Sequence, residues 1–233
     1  MEYRQELKYV CSSPELDILR SRLLPLMKLD SHLGRDQTYN IRSIYLDDYA
    51  DTCLEENESG INERVKIRIR IYDRSPSRIN LEFKYKRNGM THKESTPISE
   101  EMCRRIMSGE AISIWETGGD RLLNQLAVLM QTRLLRPKVI VEYERTVFVS
   151  ETGNVRVTFD WNIRGSHHIE RFFEPNLYAA AVLEPGKHVL EVKYDELLPD
   201  YIAQALDNGR LERTAFSKYY LSRITLKENE YEV

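Results

Sequence analysis

Arg64-Val65-Lys66-Ile67-Arg68-Ile69-Arg70-Ile71-Tyr72 is the stretch that decides the fold. At a strand's period of two, Arg64, Lys66, Arg68 and Arg70 share one face, while Val65, Ile67, Ile69 and Ile71 take the other. The β-branched residues favour a pleated backbone. Four cations on one face repel one another unless an anion, acidic side chains or open water lies opposite. Leu81-Glu82-Phe83-Lys84-Tyr85-Lys86 repeats the pattern, with Glu82, Lys84 and Lys86 together.

Outward from this pair, Asn88-Gly89 is a hairpin signal that returns Met90–Pro97 antiparallel to Leu81–Arg87. Lys93 and Glu94 then fall on opposite faces. Met1–Cys11 alternates Arg4, Glu6 and Lys8 onto one face, which alone reads as the solvated side of an edge strand. Further strands are expected at Tyr39–Asp47, Pro137–Val149, Val155–Arg164 and Val189–Tyr194. They add Tyr143 with Arg145, Arg156 with Asp160, and Glu191 with Lys193, each pair on one face. His168–Phe173 reads equally as strand or loop.

Helices are expected from the Ser12-Ser13-Pro14-Glu15 start to Pro25, and over Ser99–Gly109, Asp120–Thr132, Pro199–Asn208 and Ser217–Lys227. The Asp47-Asp48 pair could hold a metal, but acids at a strand's end more often cap the next turn or helix, and the cap is the expectation.

The chain of 233 residues is 41% hydrophobic and 30% charged, which suits one globular domain over 1–233. A net charge of −3 and the lack of a basic helix weigh against a third reading, nucleic-acid binding, and no nucleic-acid partner is expected. Cys11, Cys53 and Cys103 are scattered without metal or disulfide spacing, as in reduced cytoplasmic proteins. No apolar run approaches about 18 residues, so membrane insertion is not expected, although a membrane-protein partner could recruit the chain. No glycine-rich phosphate loop, zinc spacing or nucleophile elbow is present.

Several strands thus carry cations on one face and aliphatic residues on the other. The expected fold is α+β: a closed antiparallel β-barrel of about eight strands with a polar lumen and helices packed on the outside. A lumen of guanidinium and ammonium groups suits a chain of phosphates. Its glutamates either pair with neighbouring cations or hold Mn²⁺ or Mg²⁺ that bridges to phosphate oxygens. For Glu6 and Glu82 the residues leave both open.

The motifs Arg4-x-Glu6-x-Lys8-Tyr9, Ser43-Ile44-Tyr45-Leu46-Asp47, Val65-Lys66-Ile67-Arg68-Ile69-Arg70 and Leu81-Glu82-Phe83-Lys84 resemble the polyphosphate polymerase domain of the vacuolar transporter chaperone (VTC) proteins. Tyr143-Glu144-Arg145-Thr146-Val147-Phe148, Val155–Asp160, Val189-Leu190-Glu191-Val192-Lys193 and Phe216-Ser217-Lys218-Tyr219 come in the family's order. The resemblance implies a triphosphate tunnel fold in which the γ-phosphate of ATP passes to a growing polyphosphate chain. It implies Lys8, Arg68, Arg70, Lys84, Arg145 and Arg156 as phosphate ligands, joined by Lys93, Lys218 and Tyr143, with Glu191 holding the metal. The cationic strand faces add Lys66, Lys86 and Lys193 to the substrate-binding set, and Glu6 and Glu82 as further metal candidates. Where the family often has lysine, this chain has Ala215, so one contact is absent or supplied by Arg213. The rival readings are a metal-dependent tripolyphosphatase or nucleoside triphosphatase of the same fold, and a non-catalytic polyphosphate-binding subunit.

Overall fold

The computed structural model describes residues 3–34 and 36–231. Its elements in chain order are β1 (Gln5–Ser12), α1 (Ser13–Leu23), β2 (Lys28–Leu29), β3 (Tyr39–Asp47), α2 (Thr52–Glu58), β4 (Arg64–Tyr72), β5 (Ser75–Arg87) and β6 (Met90–Pro97). After these come α3 (Glu100–Met107), α4 (Arg121–Thr132), β7 (Arg136–Ser150), β8 (Val155–Ser166), β9 (Ala180–Ala181), β10 (Lys187–Tyr194), α5 (Asp200–Leu206) and α6 (Lys218–Tyr231). Among the described residues the strands form one ten-stranded antiparallel sheet, ordered β1-β10-β8-β7-β3-β4-β5-β6, with β2 on β7 and β9 on β8.

Local chemistry sets the boundaries. The Glu15 carboxylate accepts from the Ser12 backbone N (2.8 Å) and Oγ (2.7 Å), closing the first turn of α1. Asn88 and Gly89 both have positive φ between the paired residues Arg87 and Met90, which makes the tight turn of the β5–β6 hairpin. Asp47 and Asp48 cap as expected. Asp47 Oδ1 accepts from Cys53 N, and Asp48 Oδ1 from Thr52 N, each at 2.9 Å. What they cap is α2, a short helix within the polar segment after Tyr49. Residues 168–173 resolve as a 3-10 turn over Ile169–Arg171, and the pairing with β8 is made by β9 instead.

The sheet curls until its edge strands approach, but among the described residues no continuous ladder closes it. Arg4 and Thr91 exchange backbone hydrogen bonds of 2.9 Å, a single bridge between the start of β1 and β6. Farther along β1, Thr214 N donates to Lys8 O at 2.9 Å and Arg213 bridges to Tyr9. The chain just before α6 therefore occupies the seam where the expected barrel would pair β1 with β6.

The helices do not all lie outside. α3 and α4 pack Cys103, Ile106, Leu122, Leu126 and Met130 on Ile67, Ile69, Leu81 and Phe83 of the outer face. α1 and α5 do the same over Phe148, Phe159, Leu190 and Val192. Phe216, Tyr219 and Leu226, by contrast, pack on Tyr45, Val139, Val141, Tyr143 and Ile163, which point to the opposite, inner face. α6 therefore covers part of the concave side. The correction to the expected arrangement has a physical cause: β3 and β7 carry aliphatic and aromatic residues on both faces, so the inner one also has to be buried.

Close approach of α6 depends on Gly165. A Cβ there would lie 2.8 Å from Ser222 Cβ. Gly165→Ala is therefore expected to destabilise the protein by about 1–3 kcal/mol, read from chemical denaturation. An unchanged midpoint would mean that α6 does not seat on the inner face as described.

Candidate functional site

Register carries the alternating cations of each strand onto one surface. Lys66 lies beside Lys84, which lies beside Lys93; Arg68 lies between Tyr45 and Glu82. Across the sheet, Glu6 faces Lys193, Lys8 faces Glu191, and Arg145 faces Asp160. Asn162 has positive φ and interrupts the β7–β8 register, which keeps Asp160 and Ile163 on the same side of β8. The expected substrate and metal residues thus all belong to the inner face, with Lys218 added from the start of α6.

Three acidic centres organise these cations. Glu82, fully buried, accepts from Arg68 Nε at 2.7 Å and Lys93 Nζ at 2.9 Å, with Arg70 at 3.7 Å. Asp160, also fully buried, accepts from Arg145 Nε at 2.6 Å and Nη2 at 2.7 Å, and pairs with Lys218 Nζ at 2.6 Å. The third centre holds two acids. Glu6 takes Lys84 Nζ at 2.7 Å and lies 3.4 Å from Lys193, while Glu191 takes Lys193 at 2.6 Å. Lys8 lies 3.7 Å from Glu6 and 3.9 Å from Glu191.

Burial alone would raise these carboxyls. The cations overcome it: Lys8, Lys84 and Lys193 hold Glu6 down to about 2 despite burial and the neighbouring Glu191. Glu191 and Glu82 are likewise held well below the usual carboxylate range, against burial, by Lys193 and Lys8 and by Arg70 and Arg68 respectively. The lysines respond in the opposite sense. Burial brings Lys84 down to about 7, with Lys8 and Lys193 adding to the effect and Glu6 resisting it. Burial, with repulsion from Lys8, Arg64 and Lys84, also drives Lys66 well below an ordinary lysine.

Aromatic hydroxyls and rings fill the remaining contacts. Arg68 Nη1 donates to Tyr45 Oη at 2.9 Å, and Arg70 Nη2 to Tyr143 Oη at 3.2 Å. Arg145 and Lys218 lie over the Tyr143 ring, at 5.2 Å and 4.9 Å from its centroid. Arg156 stands apart from the three centres, paired with Asp30 at 3.2 Å and donating to Tyr39 Oη at 3.3 Å. Lys66 donates to Ser217 Oγ (2.6 Å) and Asn57 Oδ1 (3.0 Å). Sequence reasoning did not give Tyr45, Asp30, Asn57 or Ser217 a role. Strand alternation could have found Tyr45, but the others lie on loops and helix ends with no period to reveal them.

The chemistry comes from the imbalance. Guanidinium and ammonium groups outnumber carboxylates on this face, and flexible lysine stems can leave a carboxylate for another anion. Glu6 and Glu191 share two lysines and offer hard oxygen donors, so they fit a divalent cation completed by further oxygens. Glu82 fits that role poorly, because three cations already occupy its oxygens. Among the described residues no group of three or more His, Cys, Asp or Glu forms a ready metal cluster. Cys11, Cys53 and Cys103 are buried thiols pushed up to about 12 by burial, and thus inert. No helix among the described residues is long and apolar enough to cross a membrane.

The fold is similar to a candidate adenylate cyclase from Bacillus halodurans, at 14% identity and a TM-score of 0.50, over 99% of this chain and 89% of that one. It is also similar to the PH1819 protein of Pyrococcus horikoshii OT3, at 15% identity and a TM-score of 0.50, over 97% and 99% of the two chains. No curated protein matches the chain by sequence. A family model for the VTC domain matches residues 3–227. The chain belongs to the VTC domain family.

Proposed function

We propose that this protein is an ATP-dependent polyphosphate polymerase, transferring the γ-phosphate of ATP to a phosphate chain bound along the inner face of the sheet. The observation that carries this reading is the buried cationic face itself. Glu6, Glu82, Asp160 and Glu191 are already committed to lysines and arginines, and among the described residues of this face cations remain in excess. Membership of the VTC family supports the choice of polyphosphate over other polyanions.

Arg68, Arg70 and Arg145 offer rigid donor forks to non-bridging phosphate oxygens. Glu82 and Asp160 hold these guanidiniums in place, so the donors are oriented before substrate arrives. Lys8, Lys84, Lys93, Lys193 and Lys218 supply mobile charge. An oxygen of the acceptor's terminal phosphate attacks the γ-phosphorus in line, the bond to the β–γ bridging oxygen breaks, and ADP leaves with that electron pair. No protein nucleophile is needed. Mn²⁺ or Mg²⁺ held by Glu6 and Glu191 would neutralise charge on the phosphate oxygens. For that to happen Lys84 and Lys193 must turn from carboxylate to phosphate, which their stems allow.

Purified protein incubated with ATP and Mn²⁺ or Mg²⁺ is expected to yield long polyphosphate on a gel with matching ADP. Arg68→Ala should reduce the rate by about 10²–10³-fold, and Glu191→Ala should abolish metal-dependent turnover. Free phosphate without polymer would instead assign a hydrolase, and tight polyphosphate binding without turnover a binding subunit.

Lys84 also predicts a pH dependence. Its ammonium is half-protonated near pH 7 in the free protein, and a bound polyanion favours the charged form. Affinity for polyphosphate should therefore fall as pH rises from about 6 to about 8.5, by several-fold. Lys84→Arg should flatten that slope. An equally steep slope in the variant would assign the titration elsewhere.

A further inference from the structure

The outer face of the sheet carries a charge imbalance of its own. Arg42 of β3, Glu142 of β7 and Arg164 of β8 are register partners and form one row across three strands. Their chain neighbours Ser43, Tyr143 and Ile163 belong to the inner face, so the sheet itself separates this row from the substrate residues. Arg74 joins from the β4–β5 turn, where Asp73 and Arg74 both have positive φ (50° and 59°) between the paired Tyr72 and Ser75. Glu142 Oε1 accepts from Arg42 Nη2 (3.0 Å), Arg74 Nε (2.9 Å) and Asn40 Nδ2 (3.0 Å), and its Oε2 from Arg164 Nη2 (3.0 Å). Three guanidiniums thus meet one carboxylate, a surplus of two positive charges.

Nearby acids are engaged elsewhere. Asp73 Oδ1 accepts from Asn40 N, Glu144 from Asn162 Nδ2, and Glu174 lies 3.6 Å from Arg171. The surplus is felt at Arg42: burial, with repulsion from Arg74 and Arg164, lowers it below an ordinary arginine although Glu142 opposes the shift. On the inner face the balance is reversed, and Arg68, Arg70 and Arg145 are raised in spite of burial. Polar atoms are also left over. Arg42 Nε and Arg164 Nε are buried and have no acceptor among the described residues, and the buried Asn40 Oδ1 has no donor. Arg74 bonds through Nε alone, so its two terminal nitrogens are unused among the described residues. Arg42 is fixed, because its Nη1 donates to the carbonyls of Phe172 (2.8 Å) and Glu174 (2.6 Å). Arg74 and Arg164 keep 38% and 39% of their side chains exposed, against 0% for Arg42, and so form the mouth of the cluster.

We propose that Arg42, Arg74, Arg164 and Asn40 form a binding site for inorganic phosphate, as the hydrogen phosphate dianion, on the outer face of the sheet. Its two charges bring the three guanidiniums and Glu142 to neutrality. Its bare oxygens accept from Arg74 and Arg164, whose half-exposed side chains part to admit it. Its single O–H donates to Asn40 Oδ1. Sulfate matches it in charge and shape but has no proton to give, and would leave Asn40 Oδ1 unpaired. The inference goes beyond the polyphosphate reading and does not depend on it, because the ion binds on the side of the sheet away from the substrate residues.

The test is calorimetric titration of the full chain with inorganic phosphate, sulfate and triphosphate, at a pH above the second ionisation of phosphate. Wild-type protein should bind phosphate at least about fivefold more tightly than sulfate. Arg74→Gln combined with Arg164→Gln should weaken phosphate binding about tenfold or more and leave triphosphate within about twofold. Asn40→Ala, which keeps all three guanidiniums, should bring phosphate and sulfate within about twofold of each other. Arg68→Ala, on the inner face, should leave phosphate binding within about twofold. Phosphate binding that survives the arginine pair but is lost in Arg68→Ala would place the ion on the inner face and overturn the proposal. Equal affinity for phosphate and sulfate in the wild type, or no phosphate binding at all, would overturn it as well.

Discussion

Repulsion among buried cations is the constraint on which this structure depends. Arg68, Arg70, Arg145, Lys8, Lys84, Lys193 and Lys218 cannot share one concave surface unless something opposes their charge. In the protein alone, Glu6, Glu82, Asp160 and Glu191 do so, and each is therefore held ionised against strong burial. Removing one such acid would leave buried charges unpaired, which costs far more than a surface ion pair contributes. The acids thus act first as part of the fold. Glu6 and Glu191 differ from the other two in sharing Lys8 and Lys193 between them.

α6 links this electrostatic arrangement to the hydrophobic core. Lys218 pairs with Asp160, while Tyr219 donates to Asp47 at 2.5 Å and packs its ring 5.3 Å from that of Tyr45. Arg223 donates to Asp51 at 2.7 Å. One helix therefore buries the apolar part of the inner face, places a cation beside Arg145 and, through the residues before it, fills a stretch of the seam. That explains how the sheet can hold a curved shape although, among the described residues, one direct bridge, Arg4 with Thr91, joins its edges.

The inner face was legible in the sequence because side-chain period in a strand does not depend on which strands pair. Arg64–Tyr72 and Leu81–Lys86 disclosed their cationic faces before any register was known. Capping by Asp47 and Asp48 was readable for the same reason, being a local contest between backbone donors and acids. Which surface meets which has no such local signature. The pattern of Phe216, Tyr219 and Leu226 marks an amphipathic helix but not the side of the sheet that receives it. Closure of the barrel depended on whether β1 finds β6 or residues 213–214, a long-range competition with no local signal. Asp30, which holds Arg156, follows the two-residue β2, and Asn57, which holds Lys66, sits in the last turn of the short α2, where no face pattern marks either.

The central claim is that the inner face is built for an extended phosphate polyanion and carries unbalanced charge without one. Thermal unfolding with and without triphosphate or polyphosphate, against sulfate at matched ionic strength, addresses it most directly. A ligand bound only by the native state stabilises it by an amount that grows with the logarithm of its concentration over Kd, about 2.7 kcal/mol at a hundredfold excess. The account predicts a rise of several degrees with the phosphate chains, little with sulfate, and loss of the rise in Arg68→Ala. Equal shifts with sulfate and polyphosphate, or none with either, would contradict it.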